Sequence, residues 1–297
     1  KSKKQYEMLF QKKRFYIWNN FNFANIYIHR LIKKYNKIQI VISNIGNLQW
    51  QSQYSKNNIL RSINIILLKF LIKFYLVLLI KLKLIKKIDI RFQSDKKLNE
   101  KKEGIFVKKS IKINSRLYDY FKNKKIYNNR KYITHIDLNL DHQDDVAIRG
   151  KLYERDKKDH YEFLNKTLFK LSKLYRKPVI VCIHPMYNLK NTQKNFPNFK
   201  VVKYKTREMI EQSEIVTFFD SSSIFDAVYL GKKIIALQNI KTGNAIVEKT
   251  NKYVSLLDLP FLDIHNFSEI KRKEIENQFK KSKKKLEEYS LRFLKFQ

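Results

Sequence analysis

The sequence predicts an α/β protein built from two doubly wound, Rossmann-like domains. Three observations point there. Beyond residue 150, short apolar runs alternate at an even pitch with segments of helical periodicity, which is how strand–helix–strand units on a parallel sheet read. The run "PVIVCI" (178–183) is apolar throughout, as a strand covered on both faces must be. The opening of the chain, "RFYIW" (14–18), "ANIYIHRLIKKY" (24–35) and "KIQIVIS" (37–43), reads as strand, helix, strand and starts the same pattern.

At 297 residues the chain is long enough for two medium domains or one large one. Hydrophobic residues make up 43% and aromatics 14%, so a core can be buried and the chain is not a disordered tail.

The segment 60–87, "LRSINIILLKFLIKFYLVLLIKLKLIKK", is the most hydrophobic of all. Lys69, Lys73, Lys81 and Lys83 interrupt it. The uncharged run Phe74–Ile80 falls far short of the ~20 apolar residues of a membrane span, and a Lys in mid-membrane is costly. Lys69, Lys73 and Lys81 recur at roughly helical spacing, so the reading is a long amphipathic helix, packed on a sheet or lying in a membrane interface. "KKIDIRFQS" (86–94) is the next strand, 94–103 a polar loop, and "EGIFVKKSIKINSRLYDYF" (103–121) a strand and then a short helix. "YITHIDL" is a strand followed by an acidic loop, and the domain junction is expected there. The domains are therefore 1–147 and 148–270, with a C-terminal helix over 271–297.

In the second half, "DHYEFLNKTLFKLSKLYRK" (159–177) carries Leu164, Leu168 and Leu171 at helical spacing. After the strand 178–183 come a strand "FKVVKY" (199–204), a short helix "TREMIEQS" (206–213) with Thr206 as its expected N-cap, and a strand "IVTFF" (215–219). A helix "SSIFDAVYLG" (222–231) ends at Gly231 and is followed by a strand "KIIAL" (233–237). The last helix, from about 267 to 294, has Ile270, Ile275, Phe279, Leu286, Tyr289 and Phe293 as its apolar stripe.

A formal charge of +36 suggests a polyanionic partner. Yet 51 Lys stand against 12 Arg, with Ile, Asn, Tyr and Phe abundant and Gly and Pro scarce. That is the bias of AT-rich codon usage. Arg, the fork that reads phosphate and guanine, is not the residue enriched. The excess therefore reads mainly as solvated surface, with an anionic lipid or acidic polymer, then nucleic acid, as alternatives. Cys182 is the only cysteine. It reads as a small core residue in a reducing, cytoplasmic setting. No Cys/His spacing suited to a metal is present. The chain begins at Lys1 rather than Met, which leaves anything upstream open.

Two segments sit where an open α/β sheet binds its ligands, beyond the carboxyl ends of strands. His184 and Pro185 close the strand 178–183. Ser221, Ser222 and Ser223 close the strand 215–219 and open a helix. Unpaired N–H groups there, the positive dipole end and three hydroxyls suit an anion such as a phosphate; simple capping accounts for one serine. An imidazole on the same edge can donate to a phosphate or a base carbonyl. Asp226, one turn into that helix, is placed to meet a ribose hydroxyl or to lie on the surface.

The series "VIVCIHP…FKVVKYKTREMIEQSEIVTFFDSSSIFDAVYLGKKIIAL" resembles the C-terminal half of the GT-B glycosyltransferases that build bacterial capsules and surface carbohydrates, the group of polysialyltransferases and capsule Kdo transferases. The resemblance implies that His184, Pro185, Ser221, Ser222 and Ser223 bind a nucleotide-sugar donor, often a CMP-sugar. Lys205 and Thr206, in "YKT", match the pattern, and "NSRLYDYF" (114–121) resembles a segment near the end of the N-terminal domain. Order and spacing carry the likeness, since no single motif is specific. The sequence departs from the family at Lys233, where Gly-Lys-Pro is usual, and at Asp220, where a small or His-like residue is usual. The paired acidic-Gly motif of the polysialyltransferases is not evident.

What the resemblance implies is metal- and cofactor-independent sugar transfer, with the leaving phosphate stabilised by side-chain donors and a base activating the acceptor hydroxyl. Asp141, Asp144 and Asp145, in "LDHQDD", are candidates for that base by location. The expected partners are a nucleotide sugar and an anionic glycan or lipid-linked acceptor. The expected setting is cytoplasmic, with peripheral contact to the inner membrane and no specific nucleic acid. The alternatives are a CDP-glycerol-type polyol-phosphate transferase, a sugar-nucleotide 2-epimerase, and a non-catalytic basic protein binding nucleic acid or membrane.

Overall fold

The computed structural model describes residues 26–43, 59–93, 106–113, 116–123, 131–138, 154–242 and 244–294, with the short pieces 7–8, 11, 15–17 and 140. The chain divides into two compact units, one of residues 1–116 with 296–297, the other of residues 117–295.

The first unit carries β1 (Phe15–Ile17), α1 (Ile26–Lys34), β2 (Ile38–Ser43), α2 (Ile59–Lys81), β3 (Ile88–Gln93) and β4 (Val107–Lys112). The strands form one sheet in the order β1-β2-β3-β4, every pair parallel. Val41, Ile88 and Val107 bury their side chains together across three neighbouring strands. The Leu-rich α2 turns Leu76 and Leu79 inward to meet Ile85 and the half-buried Ile26 and Phe106. Among the described residues no helix is long and apolar enough to cross a membrane.

The second unit begins with α3 (Arg116–Phe121) and β5 (Tyr132–Ile136). There follow α4 (Glu154–Tyr175), β6 (Val179–Ile183), α5 (Leu189–Asn195), β7 (Lys200–Lys203), α6 (Thr206–Gln212) and β8 (Ser213–Phe218). The last elements are α7 (Ile224–Tyr229), β9 (Lys233–Gln238), α8 (Asn244–Leu257), β10 (Phe261–Asp263) and α9 (Arg272–Tyr289). All six strands are parallel, in the order β10-β9-β8-β5-β6-β7. Leu164, Leu168 and Leu171, the stripe expected on α4, are fully buried in the main core with Val181, Ile215 and Ile235 from the sheet. On α9, Ile275, Phe279, Leu286 and Tyr289 are buried as its period demands.

The division at Arg116 and Leu117 lies well before the junction expected at 147/148. The reason is β5. It pairs with β6 on one side and β8 on the other, so the strand assigned by sequence to the first domain is the middle of the second sheet. The last helix is shorter than 267–294, because Ile264–Glu269 forms a kinked 3₁₀ segment ahead of it. Thr206 is not an N-cap: Lys205 holds that position with no side-chain cap bond, and its carbonyl accepts from the Met209 N–H at 2.9 Å.

Five helix ends share one device. The chain passes into the left-handed region at Asn36, Lys83, Arg176, Gly231 and Asp258. In each case the next residue's N–H reaches back five residues, as from Leu84 to Leu79 at 2.8 Å and from Lys232 to Ala227 at 2.9 Å. This is the Schellman closure. Glycine serves only one of the five, in a chain with five glycines in all.

Candidate functional site

Strand register sets the site. Ile136 of β5 stands level with Cys182 of β6 and with Phe218 of β8. Whatever follows each of these residues therefore meets at one edge. The chain runs from β5 through β6 to β7, then returns to place β8, β9 and β10 on the far side of β5. β5 is thus the point where strand order reverses, and such a point leaves a crevice beyond the strand ends.

The crevice is a cavity of about 340 Å³. Asp137 and Leu138 enter it after β5, His184 and Pro185 after β6, and Asp220 with Ser221, Ser222 and Ser223 after β8. Thr206 comes from the start of α6 and Lys249 from α8. The two segments picked out by sequence, His-Pro and the serines, do converge. Lys205, the exposed N-cap residue of α6, does not line the cavity. Nor does Asp226. It is buried and paired with Arg207 at 3.2 Å, and the Arg207 guanidinium lies 4.2 Å from the Tyr120 ring centroid. Asp226 thus lies outside this cavity and off the surface, and ties α7 to α6. Asp141, Asp144 and Asp145 lie outside the described residues.

The His184 ring accepts the Met186 N–H at Nδ1, 3.3 Å away. That bond puts the proton of a neutral imidazole on Nε2, so the ring presents a donor there. The serines act as a tight turn rather than as a cap. Ser221 Oγ accepts the Ser223 N–H at 3.2 Å. Ser223 itself makes no side-chain cap bond. The first N–H groups of α7, at Ile224, Phe225 and Asp226, are taken by the carbonyls of Ser221, Ser222 and Ser223 at 3.1–3.3 Å. With those N–H groups taken, the donors offered to an anion are hydroxyls, imidazole and ammonium.

Three residues of this region were missed in the sequence. Lys249 pairs with Asp220 at 2.9 Å, so the carboxylate beside the serines is partly neutralised and repels a phosphate less than it would alone. Asp137 has a wholly buried carboxyl, with His135 Nε2 at 3.8 Å from Oδ1. At that distance the ring is an electrostatic neighbour rather than a hydrogen-bond donor. Burial raises the Asp137 pKa, with His135 and the Leu138 N–H pulling the other way. His135 in turn meets Thr217 Oγ1 at 2.9 Å through Nδ1. Applying the strand-end rule to "YITHIDL" would have found Asp137. Nothing marked Lys249, because α8 was not read as a helix.

Cys182 is 1% exposed, and burial pushes its thiol up to about 12, partly offset by a hydrogen bond with Thr206. It is a neutral core group, not a nucleophile. Among the described residues no three His, Cys, Asp or Glu side chains converge as ligands for a metal ion. A wider basin of about 880 Å³ lies between α4 and α5, lined by Lys157, Lys158, Lys166 and several asparagines. Lys and Asn are what this composition supplies everywhere, and the chemistry-bearing strand ends open into the smaller cavity.

No family model and no curated protein sequence matches the chain. Solved structures do resemble it in shape. The S. aureus MnaA–UDP complex matches with a TM-score of 0.52 at 11% identity, over 98% of this chain and 75% of that one. A protein described as a UDP-N-acetylglucosamine 2-epimerase from Listeria monocytogenes matches at 0.51 and 10% identity, over 98% and 72%. The wall teichoic acid polymerase TagF is more distant, at 0.42 and 14% identity, over 93% and 67%. At such identities the likeness is one of fold. The parallel sheets and helices of this chain form the Rossmann-like α/β architecture of the GT-B class.

Proposed function

We propose that the chain is a glycosyltransferase that moves a sugar from a nucleotide-sugar donor to a surface or capsular glycan. What supports this reading is the meeting of His184, Pro185, Thr206 and Ser221–Ser223 at the strand-order reversal, in one cavity. These residues bind the donor. His184 Nε2–H, the serine hydroxyls and the Lys249 ammonium face the diphosphate or monophosphate that leaves, and lower the cost of the charge it gains. The acceptor base belongs to the acidic loop, at Asp141, Asp144 or Asp145. The acceptor is anionic or lipid-linked, and neither a metal nor a cofactor takes part. A CMP-sugar is the donor suggested by the resemblance of the His-Pro and serine segments.

The test is thermal stabilisation by CMP, CDP, UDP, GDP and ADP at moderate salt, with wild type and His184→Ala. One nucleotide should stabilise selectively, and the effect should vanish in the mutant. Indifference to every nucleotide would overturn the reading. So would a stabilisation that ignores His184 and fades with salt, which describes a basic nucleic-acid or membrane binder. Incubation with CDP-glycerol covers the polyol-phosphate alternative: release of CMP with transfer of the phosphate identifies it.

A second reading is a sugar-nucleotide 2-epimerase acting on a UDP-sugar. The two TM-scores above 0.5 favour it, one with a UDP complex and one with a protein described as such an epimerase. It predicts stabilisation by UDP, and conversion of UDP-N-acetylglucosamine without any acceptor.

A further inference from the structure

The helix α2 is largely apolar, with Lys69 and Lys73 the charges between Leu67 and Ile80. Its inner side is accounted for by Leu76 and Leu79. Its outer side is not: Leu67, Phe70, Leu71, Phe74 and Leu78 are 40–66% exposed. Their spacing of three and four residues makes them one continuous stripe. The stripe runs on past the helix end into Leu82 and Leu84, 59% and 46% exposed, which alternate with the exposed Lys81 and Lys83. Single exposed leucines are ordinary, but a contiguous face of this size marks a surface that something covers.

Charge decides what covers it. No Asp or Glu occurs between Glu7 and Asp89, while lysines and arginines recur throughout that stretch. A second copy of so cationic a chain is repelled, and protein interfaces are depleted in Lys at their centres. A bilayer rich in anionic lipid meets both demands. Its acyl boundary takes the Leu and Phe side chains, and its headgroups take the lysine ammoniums, whose long stems let them rise to that level. We infer that the outer face of α2 with the Lys81–Leu84 turn docks the protein in the plane of an anionic membrane. The helix lies in the interface and does not cross it. The inference is independent of the donor site, so nucleotide binding can fail while this stands, and the reverse.

The experiment is co-sedimentation of the whole chain with vesicles of phosphatidylcholine, alone or mixed with phosphatidylglycerol. Wild type should bind the mixed vesicles and leave the neutral ones largely unbound. Phe70→Ser/Phe74→Ser should weaken binding at least roughly tenfold, and so should Leu67→Ser/Leu78→Ser. Both sit on solvent-facing positions, so thermal melting should match wild type. Phe169→Ser, at an aromatic on α4 that is 49% exposed, should change nothing. Lys81→Gln/Lys83→Gln should reduce the preference for the anionic lipid. Binding that ignores the stripe variants overturns the inference. So does a wild-type dimer in sedimentation that Phe70→Ser/Phe74→Ser turns into a monomer without vesicle affinity, because a second copy then covers the face.

Discussion

Lys249, on α8, closes on Asp220 at 2.9 Å from across the candidate donor cavity. The pair is half-shielded from water, at 30% and 15% side-chain exposure, so its attraction is moderate. Its importance lies in what Asp220 would do alone, one residue from hydroxyls proposed to hold a phosphate.

Lys249→Ala should therefore weaken binding of the stabilising nucleotide by roughly tenfold, about 1.4 kcal/mol. Adding Asp220→Asn to Lys249→Ala should recover only part of that loss, because it removes the uncompensated carboxylate but does not return the ammonium that faces the phosphate. Titration calorimetry on the single and double variants checks both. A double variant as weak as the single one would mean that Lys249 itself, rather than the charge it cancels, holds the nucleotide.

Asp226 gives a contrasting expectation. Its carboxylate pairs with Arg207 away from the cavity. Asp226→Asn should cost about 2 kcal/mol of stability, since it leaves a guanidinium without its charge partner, and should leave nucleotide affinity unchanged. Denaturant melts and the same calorimetry separate the two readouts. An affinity loss at full stability would restore the ribose role expected from the sequence.

Asp137 links the site to pH. Desolvation raises its pKa above the ordinary 3.8, so folding favours the protonated carboxyl. That contribution is complete below 3.8 and is lost as pH rises through the raised value. Wild type should lose melting temperature from acid to neutral pH more steeply than Asp137→Asn. Parallel curves for the two proteins would show that the carboxyl is solvated.

His29 behaves in the opposite sense, in the first unit. Its buried ring, joined to Gln39 Nε2 at 3.2 Å, has its pKa lowered by burial from 6.5 to about 4, the Gln39 bond opposing. Folding favours the neutral ring, so the contribution is present above pH 6.5 and is lost as pH falls toward about 4. The loss should be on the order of 2–3 kcal/mol and should be absent in His29→Gln. Proton NMR of the ring across that range measures the titration directly.

The alternation of strands and helices was legible because it rests on hydrophobic period. Leu164, Leu168 and Leu171 recur at three and four residues, and all three are buried on α4. The edge carrying His184 and the serines was legible for a related reason: a strand's carboxyl end can be read from where its apolar run stops. Three kinds of feature escaped. The start of α5 is an Asn cap, with Asn188 Oδ1 accepting from Asn191 N–H at 3.3 Å. In a chain full of asparagine such a cap carries no signal. The helix stops at Lys83, Arg176 and Asp258 put ordinary side chains where glycine is the usual marker, and only Gly231 announced itself. The membership of β5 was hidden because sequence order says nothing of which later strands will flank it.

That placement of β5 has a consequence for how the chain is made. β5 is the first strand of its sheet to leave the ribosome and the middle one when the sheet is finished. Its neighbour β6 lies beyond the long helix α4. Its other neighbour is complete only at Phe218, the partner of Ile136. At roughly 5–20 residues per second, several seconds of synthesis separate the two. Throughout that interval the apolar segment Tyr132–Ile136 has at least one bare edge, the kind of edge on which chains pair with the wrong partner. Wrong pairing during translation is therefore a hazard of that short strand.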